Sequence, residues 1–227
     1  LPYRPKRRTR ATMAREKGLQ PLADRMLRQE RRGHPRRDAQ AFTNDVVPSA
    51  EDALAGARDI AAEAIAEHAE VRAAAREATV RYGRFVARPT KDAKAQRTRF
   101  EQYYDFEERV QRIPTHRFMA LMRGEREKVL RVRIEQDVDR LVPRLARAVG
   151  HDRRSPWGEQ LWLALTDAIK RLVLPSINKA VRAELKARAD ADAVQVFARN
   201  LDDLLMAPPL GPKRVLGVDP GLRTGCK

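Results

Sequence analysis

Residues 155–206 read SPWGEQLWLALTDAIKRLVLPSINKAVRAELKARADADAVQVFARNLDDLLM, and apolar side chains recur at helical spacing through almost the whole stretch. Ser155 and Pro156 are predicted to begin one helix, which Pro175 is predicted to interrupt. The predicted buried stripe of this helix is Trp162, Leu165, Ile169, Leu172 and Val173. A second helix of about 30 residues is predicted to follow and to span roughly 45 Å. The stretch therefore favours a mainly α-helical fold with an elongated, multi-helix body.

Helical patterns also fill much of the chain upstream of this stretch. Ser49 is predicted to cap an alanine-rich helix, because two acidic residues follow it in the first turn. Further helices are predicted over 70–82, 92–109 and 115–123, the last with Thr115 as its cap and Gly124 as its end. One or two short β-strands complete the pattern. They are predicted over 84–88 and over 129–134, where residues alternate with period two and are expected to pair locally.

The first 47 residues form a basic N-terminal part. Pro2 and Pro5 interrupt the opening LPYRPKRRTR and predict an extended basic arm. Thr9 is predicted to cap a helix over 10–17, Gly18 to close it, and Pro21 to open a second helix. Two short helices joined by such a turn indicate a helix-turn-helix-like part. The run RRGHPRR at 31–37 is predicted to be a basic loop.

Positive charge is concentrated at this end. The chain holds 47 basic and 31 acidic residues, a formal net charge of +16, and its first 37 residues hold 13 basic and 3 acidic ones. Cations gain affinity for phosphate backbones by releasing counterions. The predicted nucleic-acid-binding residues are Arg4, Lys6, Arg7, Arg8, Arg10, Arg15 and Lys17. The alternative is a solvated arginine-rich surface, or one that pairs with acidic residues elsewhere in the chain.

Other chemistries receive little support from the sequence. No apolar run is long enough to span a membrane, so no membrane partner is expected. One cysteine, Cys226, fits a reducing compartment and a cytoplasmic location. The four histidines have no metal-ligand spacing, so no metal, no cofactor and no catalytic residue are predicted. Phe100, Tyr103 and Tyr104 lie at i, i+3, i+4 among arginines, which favours core packing over a stacking platform for nucleic acid bases.

The sequence changes character after the linker at Gly211. Residues 214–219 read as a buried strand that ends at Asp219, before a Pro-Gly turn. One strand cannot satisfy its own backbone groups, so a larger sheet and a larger parent chain are expected. A carboxylate at this position suits either a metal-holding nuclease centre of the ribonuclease-H type, which needs several converging carboxylates, or the capping of a turn.

Several separated stretches resemble the bacterial Tex family of transcription accessory proteins. Residues 1–23, LPYRPKRRTRATMAREKGLQPLA, are similar to that family's LPYKPKRRT segment. Further resemblances lie at Phe100 to Phe106, at IPTHR (113–117), at FARNL (197–201) and at GVDPGLRTG (217–225). The stretches occur in family order along the whole chain. The resemblance does not extend to 31–37 or to 137–154.

This resemblance implies a domain order. Residues 1–47 would be the arm and the end of a helix-turn-helix part, and 48–210 a helical body with a long C-terminal helix. Residues 211–227 would be the first strand and turn of a truncated resolvase or ribonuclease-H-like domain. The family's helix-hairpin-helix region and S1 RNA-binding domain would lie outside this chain.

The function expected from these observations is that of a non-enzymatic, transcription-associated fragment. It would bind RNA or DNA without sequence specificity, as a monomer that serves as a helical scaffold. A first alternative is a protein-interaction strut that contacts RNA polymerase or ribosome components. A second alternative is part of a resolvase-like nuclease, inactive in this fragment.

Overall fold

A computed structural model describes residues 8–95, 98–218, 220–221 and 225–226 of the chain. It is mainly α-helical, as the sequence predicts. The helices are α1 Arg10–Glu16, α2 Gln20–Arg28, α3 Pro35–Gln40, α4 Ala50–Glu67, α5 Ala69–Tyr82, α6 Thr115–Arg126, α7 Val138–Ala148, α8 Gly158–Asp167 and α9 Leu174–Leu205. The strands are β1 Arg84–Pro89, β2 Phe106–Arg109, β3 Leu130–Glu135, β4 Pro220–Gly221 and β5 Gly225–Cys226. The chain divides into two units, Leu1–Ala189 and Asp190–Lys227.

Helix α4 is the centre of the first unit, where it packs against α1, α2, α3, α5 and α8. Its N-terminus forms as predicted, because the Ser49 side chain accepts a hydrogen bond from the backbone N–H of Asp52 at 3.1 Å. Its buried residues are Ala53, Leu54, Ala57, Ile60, Ala61, Ala62, Ile65 and Ala66. Alanine dominates this set, and small side chains allow neighbouring helices to approach α4 from several directions.

The three-stranded sheet corrects two predictions. Residues 92–109 do not form a helix: within this range the described residues contain two short 3₁₀ turns and strand β2. Both β2 and β3 pair antiparallel with β1, which lies between them. Strand β3 therefore pairs with β1 and not with β2, the strand that precedes it in the sequence. The predicted local pairing of residues 129–134 is thus also wrong. The backbone groups of β1 need partners on both sides, and only strands distant in sequence supply them.

Helix ends differ from prediction where packing competes with local signals. Helix α6 continues to Arg126 instead of ending at Gly124, and Pro114 rather than Thr115 is its N-cap. A Cβ on Gly124 would lie 2.6 Å from Leu130 Cδ1, so this glycine serves close packing and not helix termination. The run 31–37 is not entirely a loop either. Pro35 is the first residue of α3, a position where its fixed φ favours a helix.

Pro175 does not interrupt the helices of the C-terminal third. Helix α8 begins at Gly158, and a π-helical segment, Ala168–Val173, joins it to α9. Proline removes one backbone donor and its ring crowds the carbonyl four residues earlier. The wider π turn ends immediately before α9, whose second residue is Pro175. The 32-residue α9 confirms the long helix that the sequence predicts.

The second unit contains the end of α9 and the residues that follow it. Residues 213–218 form no strand and are exposed, so the buried strand predicted there is absent from the described residues. Asp219, its predicted last residue, lies outside them. The ladder between β4 and β5 has only two residues per strand, which is shorter than the usual strand of about 3–10 residues. Among the described residues, no helix combines the length and apolar character needed to cross a membrane.

Candidate nucleic-acid interface

The predicted phosphate-binding residues lie on and before α1. Arg4, Lys6 and Arg7 lie outside the described residues. Arg8 precedes the helix, whose N-cap is Thr9 as predicted: the Thr9 side chain accepts a hydrogen bond from Thr12 N at 3.0 Å. Arg10, Arg15 and Lys17 are all exposed on α1 or at its end. The structure thus places the four described members of the set within one short segment.

Two of these four cations are engaged within the protein. The Arg15 guanidinium lies 2.6 Å from a Glu63 carboxylate oxygen on α4, and its Nε donates to Gln20 Oε1 at 3.1 Å. Glu63 also accepts a hydrogen bond from Thr9 Oγ1 at 3.1 Å, so this one carboxylate on α4 binds both the N-cap residue of α1 and Arg15 near its C-terminus. Arg8 forms an exposed ion pair with Glu16, and their hydrogen bond raises the pKa of Arg8 and lowers that of Glu16. Arg8 and Arg15 are therefore only partly available to a phosphate.

Arg10 and Lys17 are the more accessible cations of α1. They are seven residues apart, so two helical turns place them on one face. Neither has an ion-pair partner among the described residues, although both line a shallow groove that also contains Asp52 and Asp59. Burial raises the pKa of the Asp59 carboxyl, and the positive charges of Arg171 and, more weakly, Arg10 oppose that rise. This face of α1 therefore carries cations beside partly compensating carboxylates.

A second group of exposed arginines, outside the set predicted from the sequence, lies on two other loops. Arg31 and Arg32 follow α2, and Arg153 and Arg154 precede α8. The two loops meet through Gln29, whose side chain donates to Gly150 O at 2.9 Å and accepts from Asp152 N at 2.6 Å. The runs RRGHPRR and HDRR are visible in the sequence, but their contact is a tertiary feature.

The aromatic segment is part of the core, as the sequence favours. Phe100 is 4% exposed and Tyr103 is 9% exposed. The Tyr104 hydroxyl donates to Ala93 O at 3.0 Å. The predicted helix is wrong, yet the burial is confirmed because the segment folds back over β1 and against Gly124 of α6. Phe100 and Tyr103 are too buried to stack on nucleic acid bases.

The described residues hold no group of three or more His, Cys, Asp or Glu side chains that could bind a metal ion. His151 is engaged in the fold, with its Nε2 2.9 Å from Gly158 O and its ring beside Trp162. The other three histidines, His34, His68 and His116, are exposed.

The fold and its surface define a basic, mainly α-helical protein that is built around one alanine-rich helix. Residues 30–197 match the family described as Tex central region-like. The whole chain is 39% identical to Protein tex of Bordetella pertussis over 245 residues, and 35% identical to Transcriptional accessory protein Tex of Neisseria gonorrhoeae over 244 residues. S1 RNA-binding domain-containing protein 1 of Homo sapiens is 32% identical over 136 residues, covering 57% of this chain and 14% of the human protein.

The chain belongs to the Tex family. The resemblance seen in the separated sequence stretches is thereby confirmed. The chain spans 30% of the length of each of these two bacterial relatives.

Proposed function

We propose that this chain contributes non-specific nucleic-acid binding to a transcription-associated Tex-family protein, with its helices as a scaffold. The observation that carries the proposal is the concentration of basic residues in the first 37 positions, with Arg10 and Lys17 exposed on one face of α1. Two relatives support the context, since one is named a transcriptional accessory protein and another an S1 RNA-binding domain-containing protein. The proposed ligand is the phosphate backbone of RNA or DNA.

The proposed domain map follows the family order. Residues 1–47 form the arm and the helix-turn-helix-like part, in which the exposed cations of α1 contact phosphate. Residues 48–210 form the helical body, and 211–227 begin a resolvase-like domain. We assign no catalytic role to this chain, which would act in the cytoplasm as a monomer.

The test uses the full chain and a variant with Lys6, Arg7, Arg10 and Lys17 changed to Gln, which leaves the paired Arg8 and Arg15 intact. Binding to labelled RNA, single-stranded DNA and duplex DNA is measured by fluorescence anisotropy across a salt series. We expect the loss of four phosphate contacts to lower the affinity at least about tenfold near 0.1 M salt. For a duplex, the slope of log K against log salt concentration should become about 3 to 4 less steep.

The matched control changes four other cations, Arg112, Arg126, Lys128 and Lys179, to Gln. Its net charge is the same as that of the first variant (Lys6, Arg7, Arg10 and Lys17 to Gln), which is called the arm variant. A general loss of electrostatic attraction to nucleic acid therefore affects both variants equally. If the two variants bind alike, the N-terminal segment is not the contact surface. If the unaltered chain binds none of the three nucleic acids, the proposed function itself is overturned.

A second candidate function is protein interaction, and one feature of α9 favours it. Val194, Phe197, Leu201 and Leu204 recur at alternating steps of three and four residues, and each is at least 41% exposed. Such an exposed apolar stripe on a helix is typical of helix-in-groove recognition. RNA polymerase and ribosome components are the proposed partners. Nuclease-treated binding assays with purified polymerase and ribosomes test this, and retention that survives Phe197→Ser and Leu201→Ser excludes the stripe as the contact.

A further inference from the structure

Two arginine-bearing loops are joined into one surface by a small polar network. Besides the two hydrogen bonds of Gln29 to the 150–152 backbone, the Ser155 hydroxyl donates to Glu30 O at 3.3 Å. The Ser155 oxygen also accepts from Trp157 N at 3.1 Å. Residues 29–30 and 150–155 therefore lie against each other, although they are more than 120 positions apart in sequence.

The turn on the α2 side has a defined conformation. Gly33 has φ +110°, which L side chains rarely adopt, and a Cβ there would lie 3.6 Å from Trp157 Nε1. Trp157 is fully buried beneath it. The Asp38 carboxylate accepts from His34 N at 3.2 Å and lies 3.4 Å from the Arg25 guanidinium. Glycine, a buried indole and a carboxylate thus fix the backbone that carries the arginines.

Six exposed arginines lie on these two loops and at the start of α3: Arg31, Arg32, Arg36, Arg37, Arg153 and Arg154. Within the described parts of the chain, none of them forms an ion pair. Arg153 instead lies over the Trp162 ring, 5.7 Å from its centroid. Three acidic residues are near. Asp38 and Glu30 pair with Arg25, and an Asp152 oxygen accepts from Arg154 N at 2.8 Å. The surface therefore keeps a large excess of positive charge.

The fold itself gains nothing from several of these charges. Arg36 is the second residue of α3, where the helix dipole disfavours a cation. Arg31 and Arg32 are adjacent like charges, as are Arg153 and Arg154. Repulsion of this kind opposes folding and is relieved when an anion binds. Departures from local electrostatic preference are expected where a surface serves binding.

We propose that these six arginines form a second phosphate-binding surface, separate from α1, that contacts the backbone of RNA or DNA. The surface exists only in the folded protein, because its two halves come from segments more than 110 residues apart in the sequence. This inference rests on the proposed function in one respect: the ligand is the same polyanion. Arginine suits the role because its planar guanidinium can donate two parallel hydrogen bonds to one phosphate group.

The experiment compares the full chain with a loop variant, in which Arg31, Arg32, Arg153 and Arg154 are changed to Gln. The charge-matched control is again the Arg112, Arg126, Lys128 and Lys179 variant. Binding to the same RNA, single-stranded DNA and duplex DNA is measured across a salt series. We expect the loop variant to lose at least about tenfold in affinity near 0.1 M salt, and the control to lose clearly less. Equal losses in the two variants overturn the inference.

A second variant, with lysine at the same four positions, separates an effect of lost charge from an effect of lost folding. It keeps the positive charge, so it is expected to recover most of the affinity that the glutamine version loses. Circular dichroism and urea unfolding are recorded for both versions. If the lysine version is folded and binds as weakly as the glutamine version, phosphate contact is not the role of this surface.

The outcomes distinguish this inference from the proposed function. If the arm variant loses affinity and the loop variant does not, the proposed function stands and the second surface is wrong. If the unaltered chain binds no nucleic acid, both fail. Competition with a polyglutamate peptide tests the class of partner. If the peptide displaces labelled RNA as effectively as unlabelled RNA does, the ligand is an acidic protein segment and the inference is overturned.

Discussion

Gly124 lies in the interior of α6, where the helix meets the first side chain of β3. A Cβ at this position would lie 2.6 Å from Leu130 Cδ1 and 2.9 Å from Leu130 Cγ. Leu130 is 2% exposed, and Phe100 Cδ1 would lie 3.3 Å from the same Cβ, so the site is closely packed on both sides. Close approach explains a glycine that helix propensity alone disfavours by about 1 kcal/mol.

We predict that Gly124→Ala lowers the free energy of unfolding by about 1–2 kcal/mol, because overpacking exceeds the gain in helix propensity. Urea unfolding measures the change. In a Leu130→Val background the clashing methyl group is absent, so the same glycine substitution is expected to cost less. An identical cost in both backgrounds would show that Leu130 is not the cause.

Asp59 on α4 is the second residue whose surroundings make a definite prediction. Burial raises the pKa of its carboxyl, and the Arg171 guanidinium, 3.1 Å away, is the strongest opposing charge. The folded state therefore holds this proton to higher pH than the unfolded state does. Ionisation of Asp59 removes stability as the pH rises from the unfolded pKa through the folded pKa.

We predict that Arg171→Gln raises the pKa of Asp59 further, because the favourable Coulomb interaction with the carboxylate is lost. Carboxyl-detected NMR titration of the Asp59 side chain measures this. Arg58→Gln is the comparison, since Arg58 contributes the weakest of the charges that lower this pKa. A shift in Asp59 that is as large for Arg58→Gln as for Arg171→Gln would contradict the assignment.

At the scale of elements, the central strand of the sheet brings like charges together. Arg88 on β1 is directly opposite Arg131 on β3, and both side chains are exposed. Like charges directly opposite each other on antiparallel strands are destabilising. Arg88 is partly compensated by Asp105 at 2.8 Å, whereas Arg131 has no ion-pair partner among the described residues.

We therefore predict that Arg131→Glu raises the free energy of unfolding by about 0.5 kcal/mol, through a new cross-strand pair with Arg88. Chemical denaturation provides the measurement. Arg126→Glu makes the same change in net charge outside the sheet and controls for relief of overall repulsion. If both substitutions stabilise the protein equally, the strand register contributes nothing to the effect.

Elements were predictable where the signal is local. Thr9 and Ser49 cap their helices as the sequence indicates, since a cap depends only on the next three residues. The segment 92–109 was not predictable in this way. Its aromatic spacing is typical of a helix, but from Phe106 onward the segment pairs with β1. A pairing between strands about 20 residues apart produces no periodic pattern in the sequence. Pro175 was misleading because a π turn accommodates it.

At the scale of the whole molecule, the long helix α9 contains residues of two kinds. Ile177 and Val181 are buried in the core of the first unit, at 3% and 2% exposure. Val194 and Phe197 belong to the second unit and are each 67% exposed. Helical spacing is the same in both segments, so the sequence pattern alone does not distinguish a core stripe from an exposed one.

We predict that Ile177→Ala lowers the free energy of unfolding by about 2–5 kcal/mol, because it opens a cavity in the core. Phe197→Ala is expected to change it by less than about 0.5 kcal/mol, as is usual for exposed positions. Thermal and urea unfolding of the full chain compare the two. A comparable loss for Phe197→Ala would mean that its ring is covered in solution, which would itself point to a partner surface.

The candidate interface shows the same division between local and tertiary information. The basic composition of the first 37 residues is visible in the sequence, and Arg10 and Lys17 are exposed on α1 and at its end. The engagement of Arg15 by Glu63 is not visible, because those residues are 48 positions apart. Nor does any pattern indicate that Arg31 and Arg153 belong to neighbouring loops.

The Gln29 bridge also bears on the order in which the protein acquires its structure during synthesis. Helices α1, α2 and α3 pack on α4, which is complete at Glu67, whereas the contact of α2 with α8 waits for a much later part of the chain. The partners of Gln29 are 121 to 123 residues further along the chain. At about 5–20 residues per second, translation delays that bridge by roughly 6–25 seconds. For that interval the Arg31–Arg32 turn has no second loop to hold it, so its final geometry forms only after translation has passed residue 152.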